Sequence, residues 1–183
     1  MSDLITLEYE NGVGLISLNR PEKLNCFTNP LLMQLREALE TCEKSSGIRV
    51  VVLTGKGKAF SAGGDLEVLN SCTSIDAAEN NLEIANSVVL RLFNLPKPTI
   101  AMVNGVAAGA GFNLALCCDM IIASEKASFI QSFSKVGIAS DCGGHWLLRR
   151  AVGPYIAKEL MLTCRLVSAQ EGLELGFVNR VVP

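Results

Sequence analysis

Two short β-rich runs, residues 4–9 and 13–18, open the chain on either side of Asn11-Gly12. Asn-Gly readily takes the two positive φ angles of a tight turn, so the runs read as a hairpin. Arg20-Pro21 closes the second run. A helix entered near Asn29-Pro30 comes next. Its apolar positions Leu31, Leu32, Leu35, Ala38, Leu39 and Cys42 recur at helical spacing, and Ser45-Ser46-Gly47 ends it. Residues 50–53 form a continuous apolar run, the mark of a strand buried on both faces. A glycine-rich loop covers 55–64. A second amphipathic helix then aligns Leu82, Ala85, Val88, Val89, Leu92 and Phe93 on one face, and Leu95-Pro96-Lys97-Pro98 stops it. Residues 99–103 read as another buried strand, 104–111 as a second glycine-bearing loop with a helix starting at its end, and 120–123 as a strand. A short helix over 168–175, closed by Gly176, leads to a last strand over 177–182.

Strand or strand pair followed by helix is the recurring unit, which predicts an α/β fold. No linker divides the 183 residues, so one domain, 1–183, is expected. Hydrophobic residues make up 49 % of the chain, enough for a substantial core. Sixteen basic and 18 acidic side chains give a formal net charge of −2. That balance offers no basic field for nucleic acid or an anionic membrane. The apolar stretch over 106–123 is broken by glycines, Asn113 and Asp119 and makes a poor membrane span. Seven cysteines occur without a C-x-x-C spacing and with a single histidine, His145. No metal site is expected from that pattern. Several cysteines lie in apolar runs, where a reduced thiol acts as a small hydrophobe, which predicts a cytoplasmic setting.

The two glycine loops carry the candidate chemistry. The first reads Ala59-Phe60-Ser61-Ala62-Gly63-Gly64-Asp65-Leu66, the second Asn104-Gly105-Val106-Ala107-Ala108-Gly109-Ala110-Gly111-Phe112. Neither matches a phosphate loop or the G-x-G-x-x-G dinucleotide pattern. Small residues let a backbone approach a ligand closely. Two such loops after neighbouring strands can aim two N–H groups at one oxyanion, where losing one donor slows catalysis by ~100- to ~1000-fold. A helix starting at Ala110 adds partial positive charge. Tight packing alone is the other reading of each loop.

These residues together resemble the crotonase superfamily. Asn19-Arg20-Pro21 with Leu24-Asn25, then residues 59–66, then 103–111, then Cys118-Asp119 follow the family's order. The resemblance implies repeated ββα turns spiralling into two roughly perpendicular sheets. It implies an acyl-CoA thioester as substrate, with coenzyme A as part of that substrate and no permanent cofactor, and a homotrimer or dimer of trimers. It puts an oxyanion hole at the N–H groups of Gly64 and Ala110. It sets Lys23, Leu24 and Cys26 near the adenine end, and Ala62, Gly63, Asp65 and Leu66 along the pantetheine arm. It also implies a C-terminal helical segment, expected to be missing or shortened here.

Hydratases of the family hold a water between two glutamates. By the resemblance those positions are Asn113 and Phe133 here, and neither residue can act as a base. The run 133–144, continued by Trp146-Leu147-Leu148, resembles the branch of ring-epoxide and oxepin-CoA isomerases, in which the residue at Asp141 is the acid/base. Asp141 has a second reading, as the N-cap of a helix starting near Gly143. Burial by Phe133, Ile138 and Trp146 would lift a catalytic carboxyl towards a useful pKa. Asn113 is a candidate donor to the acyl group, and Phe133 a candidate contact. Asp65 also reads as a turn or cap, Asp119 as the anchor of a strand start, His145 as a surface or packing residue and Trp146 as core. Isomerisation by Asp141 is the leading expectation. Hydration or a related lyase reaction, and a non-catalytic module binding acyl-CoA or a protein, are the alternatives.

Overall fold

The computed structural model describes residues 3–183. Strands β1 (Ile5–Glu10) and β2 (Val13–Leu18) form the expected hairpin, with Asn11 at φ 51° and Gly12 at φ 86° in its turn. Helix α1 (Asn29–Lys44) is capped by the Thr28 side chain and buries the same six residues that its periodicity marked. Its C-terminal carbonyls are satisfied by Lys97, whose Nζ donates to Ser45 O at 2.6 Å and to Cys42 O.

Three further turns of chain each give one strand to a large sheet and one to a small sheet. The first turn runs through β3 (Val50–Gly55), β4 (Ala59–Ser61), α2 (Leu66–Asn70) and α3 (Ile75–Phe93). The second uses β5 (Thr99–Val103), β6 (Val106–Ala108) and α4 (Ala110–Leu116). The third uses β7 (Met120–Ser124), β8 (Ser128–Ile130), a 3-10 turn at Phe133–Val136 and α5 (Gly144–Thr163). The chain ends with β9 (Val167–Ser168), α6 (Ala169–Glu174) and β10 (Arg180–Val182). The large sheet runs β1-β2-β3-β5-β7-β10 and the small one β4-β6-β8-β9. All pairs of the large sheet after the hairpin are parallel, as crossover connections require. This is the repeated ββα order that the resemblance implies.

Several expectations change in detail. Both glycine loops contain a three-residue strand, β4 and β6, which builds the small sheet. The last strand is confined to Arg180–Val182, while Phe177 and Val178 turn into the core. Helix α5 is broken at Gly153 (φ 77°, ψ 167°), just before Pro154. Trp146 is not core: it is 51 % exposed, edge-on to Phe93 and under the Arg150 guanidinium. Asp119 does anchor a strand start. Its carboxylate accepts from Thr99 N (2.7 Å) and Thr99 Oγ1 (2.9 Å), and its own N–H donates back to that hydroxyl, locking β5 to β7.

Phe112 of α4, Phe129 of β8 and Phe177 meet with ring centroids 5.0–5.2 Å apart. They join the small sheet, the short helix α4 and the end of the chain. No helix among the described residues is long and apolar enough to cross a membrane.

Candidate active site

The two glycine loops lie side by side because β4 and β6 pair in parallel. At Gly63 the backbone turns with φ 87°, and a Cβ there would sit 2.6 Å from Ala108 O and 3.2 Å from Ala110 N. The Gly64 nitrogen is therefore no more than about 7 Å from the Ala110 nitrogen by covalent geometry. Gly111 allows α4 to settle onto Ser61, whose carbonyl a side chain would strike. The Ser61 hydroxyl braces the first loop, donating to Asn25 O at 2.8 Å and accepting from Gly63 N at 3.1 Å.

Neither backbone donor is used locally. The Gly64 N–H meets no acceptor among the described residues. The Ala110 N–H belongs to the first turn of α4, which the helix itself cannot satisfy. With seven residues, α4 offers that N–H group rather than a large macrodipole.

Gly64 and Ala110 open onto one cavity of about 860 Å³, and Asp141 lies on its wall. Residues Leu32, Leu69, Leu82, Ala85, Val136 and Ile138 make most of the rest of that wall apolar. Asp141 Oδ1 is buried without a hydrogen-bond partner. Burial pushes the Asp141 carboxyl above the ordinary carboxylate range, with the Cys142 thiol and the residue's own amide pulling part of the way back. Burial likewise pushes the Cys142 thiol up, so it stays a protonated donor. The capping alternative fails, because Gly143 occupies the N-cap of α5 and no side chain caps it. Left-handed φ angles at Cys142 (48°) and Gly143 (74°) turn the chain there.

Two expected contacts do not reach this cavity. Asn113 is fully buried, with both its amide hydrogens and its carbonyl engaged by protein, so it has no donor left for an acyl group. Phe133 faces a separate space of about 90 Å³, with Gln131, Ser134 and His145. Asp65 borders the main cavity, but its carboxylate is held by Arg20 Nη1 at 2.6 Å and caps α2 through Glu67 N at 3.0 Å. The Arg20 guanidinium holds the Asp65 carboxyl below its usual range. Leu66 lies on the wall beside it.

Lys23, Leu24, Cys26, Ala62 and Gly63 stand outside the cavity wall. Lys23 pairs with Glu67 at 2.9 Å on the surface. Ala62 N donates to Leu24 O at 2.9 Å, which ties the two strips together.

Leu69, on α2, was not legible, because the sequence pattern gives residues 66–70 no element. Leu82 and Ala85 were legible as one face of an amphipathic helix, and the structure sets that part of the face on the cavity wall. No group of His, Cys, Asp and Glu among the described residues could hold a metal, and all seven cysteines are free.

The enoyl-CoA hydratase/isomerase family pattern matches residues 8–183. The chain belongs to that family. It is similar to the 1,2-epoxyphenylacetyl-CoA isomerase of Escherichia coli, 43 % identical over 100 % of this chain and 71 % of that protein. It is 42 % identical to a putative enoyl-CoA hydratase of Thermus thermophilus, over 97 % of this chain and 71 % of the relative. An enoyl-CoA hydratase structure from Thermoplasma volcanium superposes with a TM-score of 0.95 at 36 % identity, covering 99 % of this chain and 72 % of that one. Enzymes of the enoyl-CoA hydratase/isomerase family act on coenzyme A thioesters. The two nearly equal identities, to an isomerase and to a putative hydratase, leave the reaction to be argued from the site.

Proposed function

We propose that this enzyme moves the double bond of an enoyl-CoA between the 3,4 and 2,3 positions, with Asp141 as both acid and base. The thioester oxygen accepts from the Gly64 and Ala110 N–H groups. The Asp141 carboxylate takes a proton from C2 of the 3-enoyl ester, and the electron pair delocalises over C2 to C4 and the thioester oxygen. Protonated Asp141 then returns the proton at C4, leaving the 2,3 bond. One carboxylate serves both steps because the cavity presents it along the acyl chain. In the same reading, residues 62–66 run beside the pantetheine arm and 23–26 lie near the adenine.

One observation carries the proposal: a buried, partnerless carboxylate oxygen shares an apolar cavity with two residues whose N–H groups are unused. Apolar burial raises the affinity of Asp141 for a proton, which a base needs in order to work near neutral pH. Two preorganised N–H donors account for charge that develops only on the enolate. Hydration with a water held by Asp141 and Asn113 loses its second member, because the Asn113 amide is engaged elsewhere.

The test is Asp141→Asn. Isomerisation of a 3-enoyl-CoA is expected to fall by ~1000-fold or more while binding of the ester, read by calorimetry, survives. Full activity in that variant ends the assignment. Turnover of a 2-enoyl-CoA in ¹⁸O-water checks the reaction class, since only hydration leaves the label in a 3-hydroxyacyl product.

A further inference from the structure

Helix α4 supplies more than the Ala110 N–H. Asn113, three residues on, directs its side chain at the loop that carries Asp141. Nδ2 donates to Ser140 Oγ at 3.1 Å and to the Asp141 carbonyl oxygen at 2.8 Å. Oδ1 accepts from Gln131 Nε2 at 2.8 Å, and Gln131 is itself buried beyond β8. Gly144, at the start of α5, leaves the room for this arrangement: a side chain there would strike both Asn113 and Ser140.

The residue type matters. Only an amide can donate twice to the loop and accept once from Gln131. A carboxylate at 113 has no hydrogen to give and would face the Asp141 carbonyl with a like partial charge. The position that the resemblance matched to a hydratase glutamate is here committed to protein contacts.

We propose that Asn113 is the positioning residue for Asp141, fixing the 140–141 loop to the same helix turn that presents the Ala110 N–H. Carboxylate and oxyanion donor are thereby referenced to one rigid element. A misplacement of about 1 Å between such groups costs on the order of 100-fold in rate. The inference rests on the acid/base reading of Asp141, but the clamp itself has a readout independent of activity. The other ionisable groups on the same cavity are Asp65, held by Arg20, and the thiols of Cys72 and Cys142.

The experiment compares Asn113→Ala and Ser140→Ala with the parent enzyme. Amide hydrogen exchange is followed across 138–143, and the Asp141 carboxyl is titrated by ¹³C NMR, assigned by its loss in Asp141→Asn. In Asn113→Ala, exchange is expected to rise and the Asp141 midpoint to move down towards ~3.9. In the same variant kcat is expected to fall ~10- to ~100-fold, with KM held within about 2-fold. Ser140→Ala, which removes one of the two bonds, is expected to shift all three readouts less and in the same direction. Should Asn113→Ala fail to fold, Ser140→Ala decides alone. Unchanged exchange and an unchanged midpoint overturn the clamp. Full activity in Asp141→Asn instead removes the acid/base reading, and with it the positioning role, whatever the exchange shows.

Discussion

Asp141 and Asp65 border the same cavity and respond to acid in opposite ways. Burial raises the Asp141 carboxyl, so the folded state holds its proton more tightly than the unfolded chain, where an aspartate titrates at about 3.9. The stability this confers is complete below that value and is lost as pH rises through the folded pKa. Asp141→Asn is therefore expected to raise Tm at pH 7 by a few degrees while removing activity. The gain should shrink as pH falls and vanish below about pH 3.9, which thermal melts across pH 3–8 would measure. Asp65 is lowered by Arg20, so its contribution is present above about 3.9 and disappears as pH falls through its folded pKa. Little of this was legible residue by residue. Local sequence allowed Asp141 to be a helix cap, and what excludes that is Gly143 at the N-cap, reached through a left-handed Cys142 that cysteine rarely takes. The Asn113 clamp joins residues 27 and 28 positions apart, a pairing no local pattern signals.

Elements with a clear period or clear stops, α1, α3 and the short α6, could be read from the sequence, while the three-residue strands and α2 could not. The buried face of α1 could be read in full, because sixteen residues give the helical period several turns to show. β3, β5 and β7 were visible as apolar runs, although Met102 and Met120 stand exposed on them. β4, β6 and β8 have three residues each and disappear inside glycine-rich or polar stretches. α2 has five, too few for a period. Yet the small sheet sets the distance between the two loops, and Gly63 is one of the points where they come close. Gly63→Ala is expected to cost at least ~2 kcal/mol, since a side chain there meets both an unfavourable φ and the Ala108 carbonyl at 2.6 Å. Spreading the loops should also lower turnover by ~100-fold or more, in line with losing one oxyanion donor. Urea melts and enoyl-CoA kinetics on the same variant read both effects.

The molecule holds together through contacts that cross turns of the spiral. Arg20, before α1, pairs with Asp65, after β4. The Phe112, Phe129 and Phe177 cluster draws α4, the small sheet and the C-terminal strand region onto one point. Phe129→Ala is expected to cost about 4 kcal/mol. For a chain of this length that lowers Tm by roughly 10 °C, measurable by calorimetry. No local pattern in the sequence signals this cluster, because its meeting depends on how three turns stack. The Gly64 and Ala110 N–H groups have a different standing from every other part of the proposed machinery. They are main-chain atoms, so no exchange of side-chain functional group at those positions, short of proline, deletes them. Mutation can therefore rewrite the walls, swapping an acid for an amide or a phenylalanine, while the proposed grip on the carbonyl keeps its donors. A scaffold of that kind is expected to change its reaction more easily than it loses its ligand.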